Sequence, residues 1–152
     1  MPSRSSARSI LLVVSGICLE NASSGGWGFV GCLPTGVERE GSGACLEETT
    51  ADRMKMFAAV EGFRSLVKGE RAAPLRVVSS SRYLVEGATG KRERIGNADL
   101  WAGLDALVKG RTVAWEWEPP NTMYFQTQAS ELAQHALRRA LKGSADSKEG
   151  DP

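Results

Sequence analysis

Residues 10–33 read ILLVVSGICLENASSGGWGFVGCL, and this stretch decides the fold. Ile10-Leu-Leu-Val-Val14 is apolar at every position, the pattern of a strand buried on both faces. The glycine-rich Ser23-Ser-Gly-Gly26 leads into Trp27-Gly-Phe-Val-Gly-Cys-Leu33, a second strand. Pro34-Thr-Gly36 turns the chain again, and a more polar third strand is predicted over about residues 38–46. The opening is therefore a three-strand meander.

Outward from it the period changes. Met56, Val60, Phe63 and Val67 lie at i, i+4, i+7 and i+11, one apolar helical stripe, with Thr49 or Thr50 as cap and Asp52 in the first turn. Leu75–Ser79 reads as a short strand, and Ser81 to about Gly87 as a short helix with Tyr83 and Leu84 inward. Asn97 is placed as the cap of a helix burying Leu100, Leu104, Leu107 and Val108. Val113, Trp115 and Trp117 alternate on a last strand. Ala129, Leu132, Ala133, Ala136, Leu137, Ala140 and Leu141 form the face of a last helix, whose C-terminal Arg138, Arg139 and Lys142 suit its dipole. The order βββαβα(α)βα predicts an α/β (mixed α+β) fold, a five-stranded mixed sheet flanked by helices, with the Ile10–Val14 strand central and antiparallel to the second.

The 152 residues suit one domain, and 41% hydrophobic with 24% charged residues is enough to build a core. We place that domain at residues 9–141. Residues 1–8, with Arg4 and Arg8 and no acid, read as a flexible arm, and residues 142–152 as a disordered tail. The apolar run at 10–14 is too short to span a membrane. Cys18, Cys32 and Cys45 are odd in number and lack CxxC spacing, which argues against a zinc site and for a reducing intracellular compartment such as the cytoplasm. The single histidine, His135, is expected on the outer face of the last helix. Without the terminal segments, residues 10–141 carry fifteen basic and fifteen acidic side chains, so a strongly basic nucleic-acid binder is excluded and any such binding must rest on local clusters.

Six local words, in order, resemble ribonuclease H type 1. Ser15-Gly-Ile-Cys-Leu-Glu-Asn-Ala-Ser-Ser-Gly-Gly-Trp-Gly28 resembles that family's first-strand Asp-Gly-Ser and its glycine-rich turn. Thr49-Thr-Ala-Asp-Arg-Met54 resembles its Thr-Thr-Asn-Asn-Arg-Met helix start if Lys55 takes the place of its Glu, and Val78-Ser-Ser-Ser-Arg-Tyr-Leu-Val85 its Ser-Asp-Ser-Gln-Tyr-Val. Asn97–Trp101, Val113–Trp117 and Ala129-Ser-Glu-Leu-Ala133 complete the series. The resemblance covers about residues 9–141 and implies a ribonuclease H-like fold.

It also implies two-metal phosphodiester hydrolysis, with four carboxylates holding two Mg²⁺ ions. The four matching positions are Ser15, Lys55, Ser80 and Ser130, none of them acidic, so no metal and no cofactor is expected. The family's mobile histidine falls on the loop after Trp117, nearest Asn121. On these substitutions the chain is expected to be a non-enzyme, a pseudoenzyme of the family. The bland reading is that serines relieve repulsion among carboxylates no longer needed. Three sharper readings stand beside it: acids relocated to Glu20, Asp52 or Glu131; a Ser–Lys dyad with Lys55 as base, which needs burial to lower its pKa; and an anion pocket of three hydroxyls and one ammonium. The favoured function is non-catalytic binding of an RNA/DNA hybrid or double-stranded RNA, weakly, through Asn21, Thr50, Lys55, Arg82 and the cluster Lys91, Arg92, Arg94. The alternative is a protein-interaction scaffold, with the apolar Met123–Phe125 loop as contact patch.

Overall fold

The computed structural model describes residues 9–21, 23–66 and 73–149, with backbone alone at 145–149. The predicted arm at 1–8 and Val67 of the predicted stripe lie outside the described residues. Strands β1 (Ile10–Cys18), β2 (Gly25–Cys32) and β3 (Glu38–Cys45) precede helix α1 (Ala51–Leu66). Strand β4 (Leu75–Ser79), helices α2 (Arg82–Thr89) and α3 (Ala98–Val108), strand β5 (Val113–Trp117) and helix α4 (Tyr124–Glu149) follow.

The five strands form one mixed sheet in the order β3-β2-β1-β4-β5. β1 is central, antiparallel to β2 and parallel to β4, as its two-sided apolar pattern requires. β4 and β5 are also parallel, which explains the helical crossover between them. β1 is longer than predicted. Ser15 and Gly16 look turn-like locally, but both pair with β2, opposite Gly28 and Trp27.

Side chains alternate across the sheet, so one face receives α1 and the other α4. On the α1 side Leu12, Val14, Met56, Phe63, Leu84, Trp101 and Leu104 make the main core. Phe63 is fully buried and lies 6.0 Å, ring to ring, from Trp115. Fully burying such a side chain contributes about 1.5–3 kcal/mol. On the other side Val13 and Val30 pair across β1 and β2, and Ala129, Ala133 and Leu137 are buried in α4.

Close approach of the helices matters for the site. A Cβ on Gly28 would stand 2.5 Å from the Ala129 carbonyl oxygen, so glycine there lets α4 settle onto β2. A Cβ on Gly16 would stand 2.5 Å from the Lys55 backbone nitrogen, so glycine there brings α1 against the end of β1. These two contacts place Ser130 and Lys55 beside Ser15.

Of the two expected caps, Thr50 is the one that caps α1: its hydroxyl accepts from the Arg53 N–H at 3.0 Å. Other local expectations are corrected. Asn97 stands at the start of α3 in the left-handed region (φ 58°) and makes no side-chain cap; its side chain bonds Arg53 and Tyr83 instead. Met123–Phe125 is not a loop tip, because α4 already begins at Tyr124. Of the predicted tail at 142–152, residues 142–149 are helical, and 150–152 lie outside the described residues. Once the apolar face of α4 has fixed the helix on the sheet, each further residue adds a hydrogen bond without a new nucleation cost.

Candidate functional site

The parallel strands β1 and β4 end at the same edge, with Ser15 on β1 and Ser79 closing β4 opposite Trp117. A cleft of about 150 Å³ opens there. It is lined by Ser15, Lys55, Ser80, Asn121, Gln126 and Ser130, with Val14, Gly16, Ile17 and Pro120. Clefts at the carboxyl ends of parallel strands are the usual place for ligands in such sheets. The structure therefore brings the four singled-out positions, from four separate segments, to one site.

Their chemistry is a neutral-to-positive one. Lys55 is half-buried, and burial pushes its ammonium below the usual lysine value; Asp52, on the preceding turn, partly opposes this. Among the described residues no carboxylate lies within salt-bridge distance of Lys55. The Ser15 and Ser80 hydroxyls have no hydrogen-bond partner among the described residues. Ser130 Oγ accepts from Gln134 Nε2 at 3.1 Å, which leaves its proton available.

The acids considered as relocated ligands do not reach the cleft. Asp52 accepts from Ser81 Oγ at 2.8 Å, and Ser81 in turn caps α2 through the Leu84 N–H at 3.0 Å. Glu20 is exposed after β1, and Glu131 lines a separate groove with His135 and Arg138. No three His, Cys, Asp or Glu side chains group as a metal site among the described residues.

Arg82 does not line the cleft; it opens α2, two residues after Ser80. Its guanidinium lies 3.9 Å over the Trp117 ring and 3.6 Å from the Glu86 carboxylate. The Trp117 indole N–H donates to the Ser80 carbonyl at 2.9 Å, so the ring carrying Arg82 is fixed to the cleft wall. Asn21 is held in a local turn by the Ser23 N–H at 3.1 Å, and Thr50 is occupied as a cap. The Lys91–Arg94 cluster is mostly engaged within the fold. Arg92 pairs with Glu86 at 2.9 Å; Arg94 pairs with Asp105 at 2.7 Å and lies 4.2 Å over Trp101. Lys91 is exposed.

One organising residue escaped the sequence reading. Gln126 is 5% exposed, and its Oε1 accepts from the Thr122 N–H (3.0 Å), the Thr122 hydroxyl (2.9 Å) and the Met123 N–H (3.0 Å). It acts as the third-residue half of a capping box at the start of α4, and it shapes the loop that carries Asn121. Asn121 sits at φ 58°, a left-handed position that asparagine tolerates. A glutamine three residues after Met123 was the available signal.

Fold and cleft define an RNase H-like protein, and the sequence comparison agrees: the RNase H family model matches residues 7–138. The chain belongs to the RNase H family. It is 32% identical over 121 residues to a ribonuclease H of Pseudomonas paraeruginosa, covering 71% of this chain and 78% of that one. It is 31% identical over 121 residues, with the same coverage, to a ribonuclease HI of Pseudomonas aeruginosa. Among solved structures, LC11-RNase H1 in complex with RNA/DNA hybrid superposes with a TM-score of 0.77 at 19% identity, over 88% of this chain and 99% of that one. The N-terminal RNase H domain of a Mycobacterium tuberculosis protein gives 0.73 at 23% identity, over 90% and 99%.

This membership corrects one expectation. The substitutions at the four carboxylate positions predict a non-enzyme, yet the chain's family is an enzyme family and its relatives are named ribonuclease H and ribonuclease HI. Loss of a ligand set bears on one way of using a cleft, and it does not by itself class the protein. The residues present do not fit the metal pair the family implies. Mg²⁺ takes oxygen ligands, preferably charged, and here an ammonium and three neutral hydroxyls line the place.

Proposed function

We propose that the chain binds an RNA/DNA hybrid or a similar duplex across this cleft, with Lys55 and Arg82 as its cationic anchors. The observation that carries the reading is Lys55 itself: a half-buried cation without a carboxylate partner among the described residues, in a cleft lined with hydroxyls. Burying a charge unpaired is unfavourable, so a phosphate that pairs with it gains more than it would from a solvated lysine. Arg82, two residues beyond the cleft-lining Ser80, adds an exposed guanidinium stacked on Trp117. The complex of LC11-RNase H1 with a hybrid supports the choice of ligand. Asn21, Thr50 and Lys91 lie further out as polar contacts, and Arg92 and Arg94 act first within the fold.

Contacts to backbone phosphate position a duplex without reading its sequence. With two to three phosphates neutralised, log affinity should fall with log salt at about 0.9 per phosphate, a shallow slope, and affinity should be micromolar or weaker at physiological salt. Fluorescence anisotropy on a labelled hybrid in EDTA, repeated over a salt series, tests this. Lys55→Glu with Arg82→Gln should remove most of the binding, uniformly across sequences. Unchanged binding by a folded double variant would refute it.

A second reading rests on Tyr124, which is 80% exposed and edge-packed on Phe125 at 5.6 Å. This aromatic pair suits a protein contact at the start of α4. The three free cysteines favour a reducing compartment, and no described helix is long and apolar enough to cross a membrane.

A further inference from the structure

We propose that the inner end of the cleft is a metal-independent oxyanion site, in which the Lys55 ammonium and the Ser15, Ser80 and Ser130 hydroxyls take a single phosphate group. The proposal deepens the binding reading above, because the phosphate it takes is one of the backbone phosphates of that duplex.

It starts from the disagreement between the family's metal pair and the residues present. A metal pair in such a cleft brings positive charge to phosphate oxygens. Here the positive charge is covalently attached to α1. Gly16 admits the Lys55 backbone to the end of β1, so the ammonium reaches the cleft from a fixed helix and not from a mobile loop. A lysine that had merely replaced an acid for want of selection would be expected to reach bulk water or a neighbouring carboxylate. Lys55 does neither fully: it is half-buried, lines the cleft and has no carboxylate at salt-bridge distance among the described residues.

The hydroxyls complete the arrangement. Those of Ser15 and Ser80 have no other partner among the described residues, and Ser130 uses only its acceptor side, toward Gln134. Each hydroxyl has one proton to donate, and an oxyanion accepts several such bonds. The nearby acid is restrained, since Asp52 is bonded to Ser81. A divalent cation meets an ammonium and neutral oxygens at the same place, whereas an anion meets the ammonium and three hydroxyls that can turn their protons toward it. The same inventory that rejects Mg²⁺ therefore selects phosphate.

The test uses the full chain in EDTA. Inorganic phosphate, a dinucleotide with one phosphodiester, and the labelled hybrid are titrated in parallel, with the Lys55 side-chain NMR signal as a direct readout. Phosphate and dinucleotide should bind with millimolar affinity and shift the Lys55 signal. Lys55→Met should weaken both at least tenfold, Ser15→Ala or Ser80→Ala several-fold, and Arg138→Gln, which lies outside the cleft, should change nothing. Added Mg²⁺ should not strengthen phosphate binding. Hybrid binding that persists while phosphate leaves the Lys55 signal unmoved would overturn this inference and spare the binding reading. Phosphate binding without hybrid binding would do the reverse. The Lys55 signal is read on the unmodified chain, so a variant that fails to fold does not rescue the proposal.

Discussion

Lys55 and Arg94 carry the same charge, and the structure uses them in opposite ways. Arg94 belongs to a bracket between α2 and α3 in which nearly every polar group is satisfied. It pairs with Asp105, donates to the Gly87 carbonyl at 3.0 Å and covers Trp101. The Tyr83 hydroxyl accepts from Trp101 Nε1 (3.0 Å) and Asn97 Nδ2 (3.2 Å), and donates toward Ile95 and Gly96 carbonyls. Arg53 ties the same bracket to α1 through Asn97 and Asp99. In the cleft, by contrast, Lys55, Ser15 and Ser80 are left without such partners among the described residues. A satisfied polar network holds a fold together; an unsatisfied one is available to a ligand.

The comparison breaks most visibly at Trp101, which is 4% exposed and central to the bracket. Trp101→Ala should cost about 3–5 kcal/mol in urea unfolding, by loss of burial and cavity formation. The folded fraction should keep its hybrid affinity. Tyr83→Phe should cost less, about 1–2 kcal/mol, because Trp101 Nε1 and Asn97 lose an acceptor. Stability that is insensitive to both changes would show that the bracket is not structural.

Lys55 gives the opposite sign. Its folded pKa is lowered by burial, so at neutral pH the folded state carries a charge it disfavours. The unfolded chain holds that proton to higher pH. Stability should therefore rise as pH climbs from the lowered Lys55 value toward the ordinary lysine value of about 10.4. Lys55→Met should be at least as stable as the parent at pH 7, and its denaturation midpoint should lack that part of the alkaline rise. A variant that is clearly less stable would mean that Lys55 is satisfied in the fold after all.

The smallest effect is expected at Asp99. The Arg53 guanidinium beside it holds its carboxyl down to about 2. A lowered carboxyl pKa stabilises the fold above the ordinary aspartate value, and that contribution disappears as pH falls toward 2. The pair is open to solvent, so Asp99→Asn should move the acid unfolding midpoint only slightly, and less in high salt.

Much of the fold was legible because it rests on local pattern. The unbroken apolar run at Ile10–Val14 placed β1 at the centre of the sheet, and the helical stripe through Met56, Val60 and Phe63 placed α1 on it. The cleft was legible only through family resemblance, since Ser15, Lys55, Ser80 and Ser130 share no local signature. What remained hidden was pairing at a distance. Arg94 meets an acid eleven residues away and Arg53 one that is 46 residues away, so free and engaged cations look alike in one dimension. The start of α4 was hidden for a related reason: it depends on one glutamine folding back on Thr122 and Met123.

On the binding proposed above, the free cation of the cleft, and not the engaged cations of the bracket, should grip the nucleic-acid backbone. The direct measurement is hybrid binding in EDTA by Lys55→Met and by Arg94→Gln, each checked for folding by circular dichroism. Lys55→Met should weaken binding at least tenfold, and Arg94→Gln should leave it within twofold of the parent. Equal loss in both, or loss in Arg94→Gln alone, would contradict it.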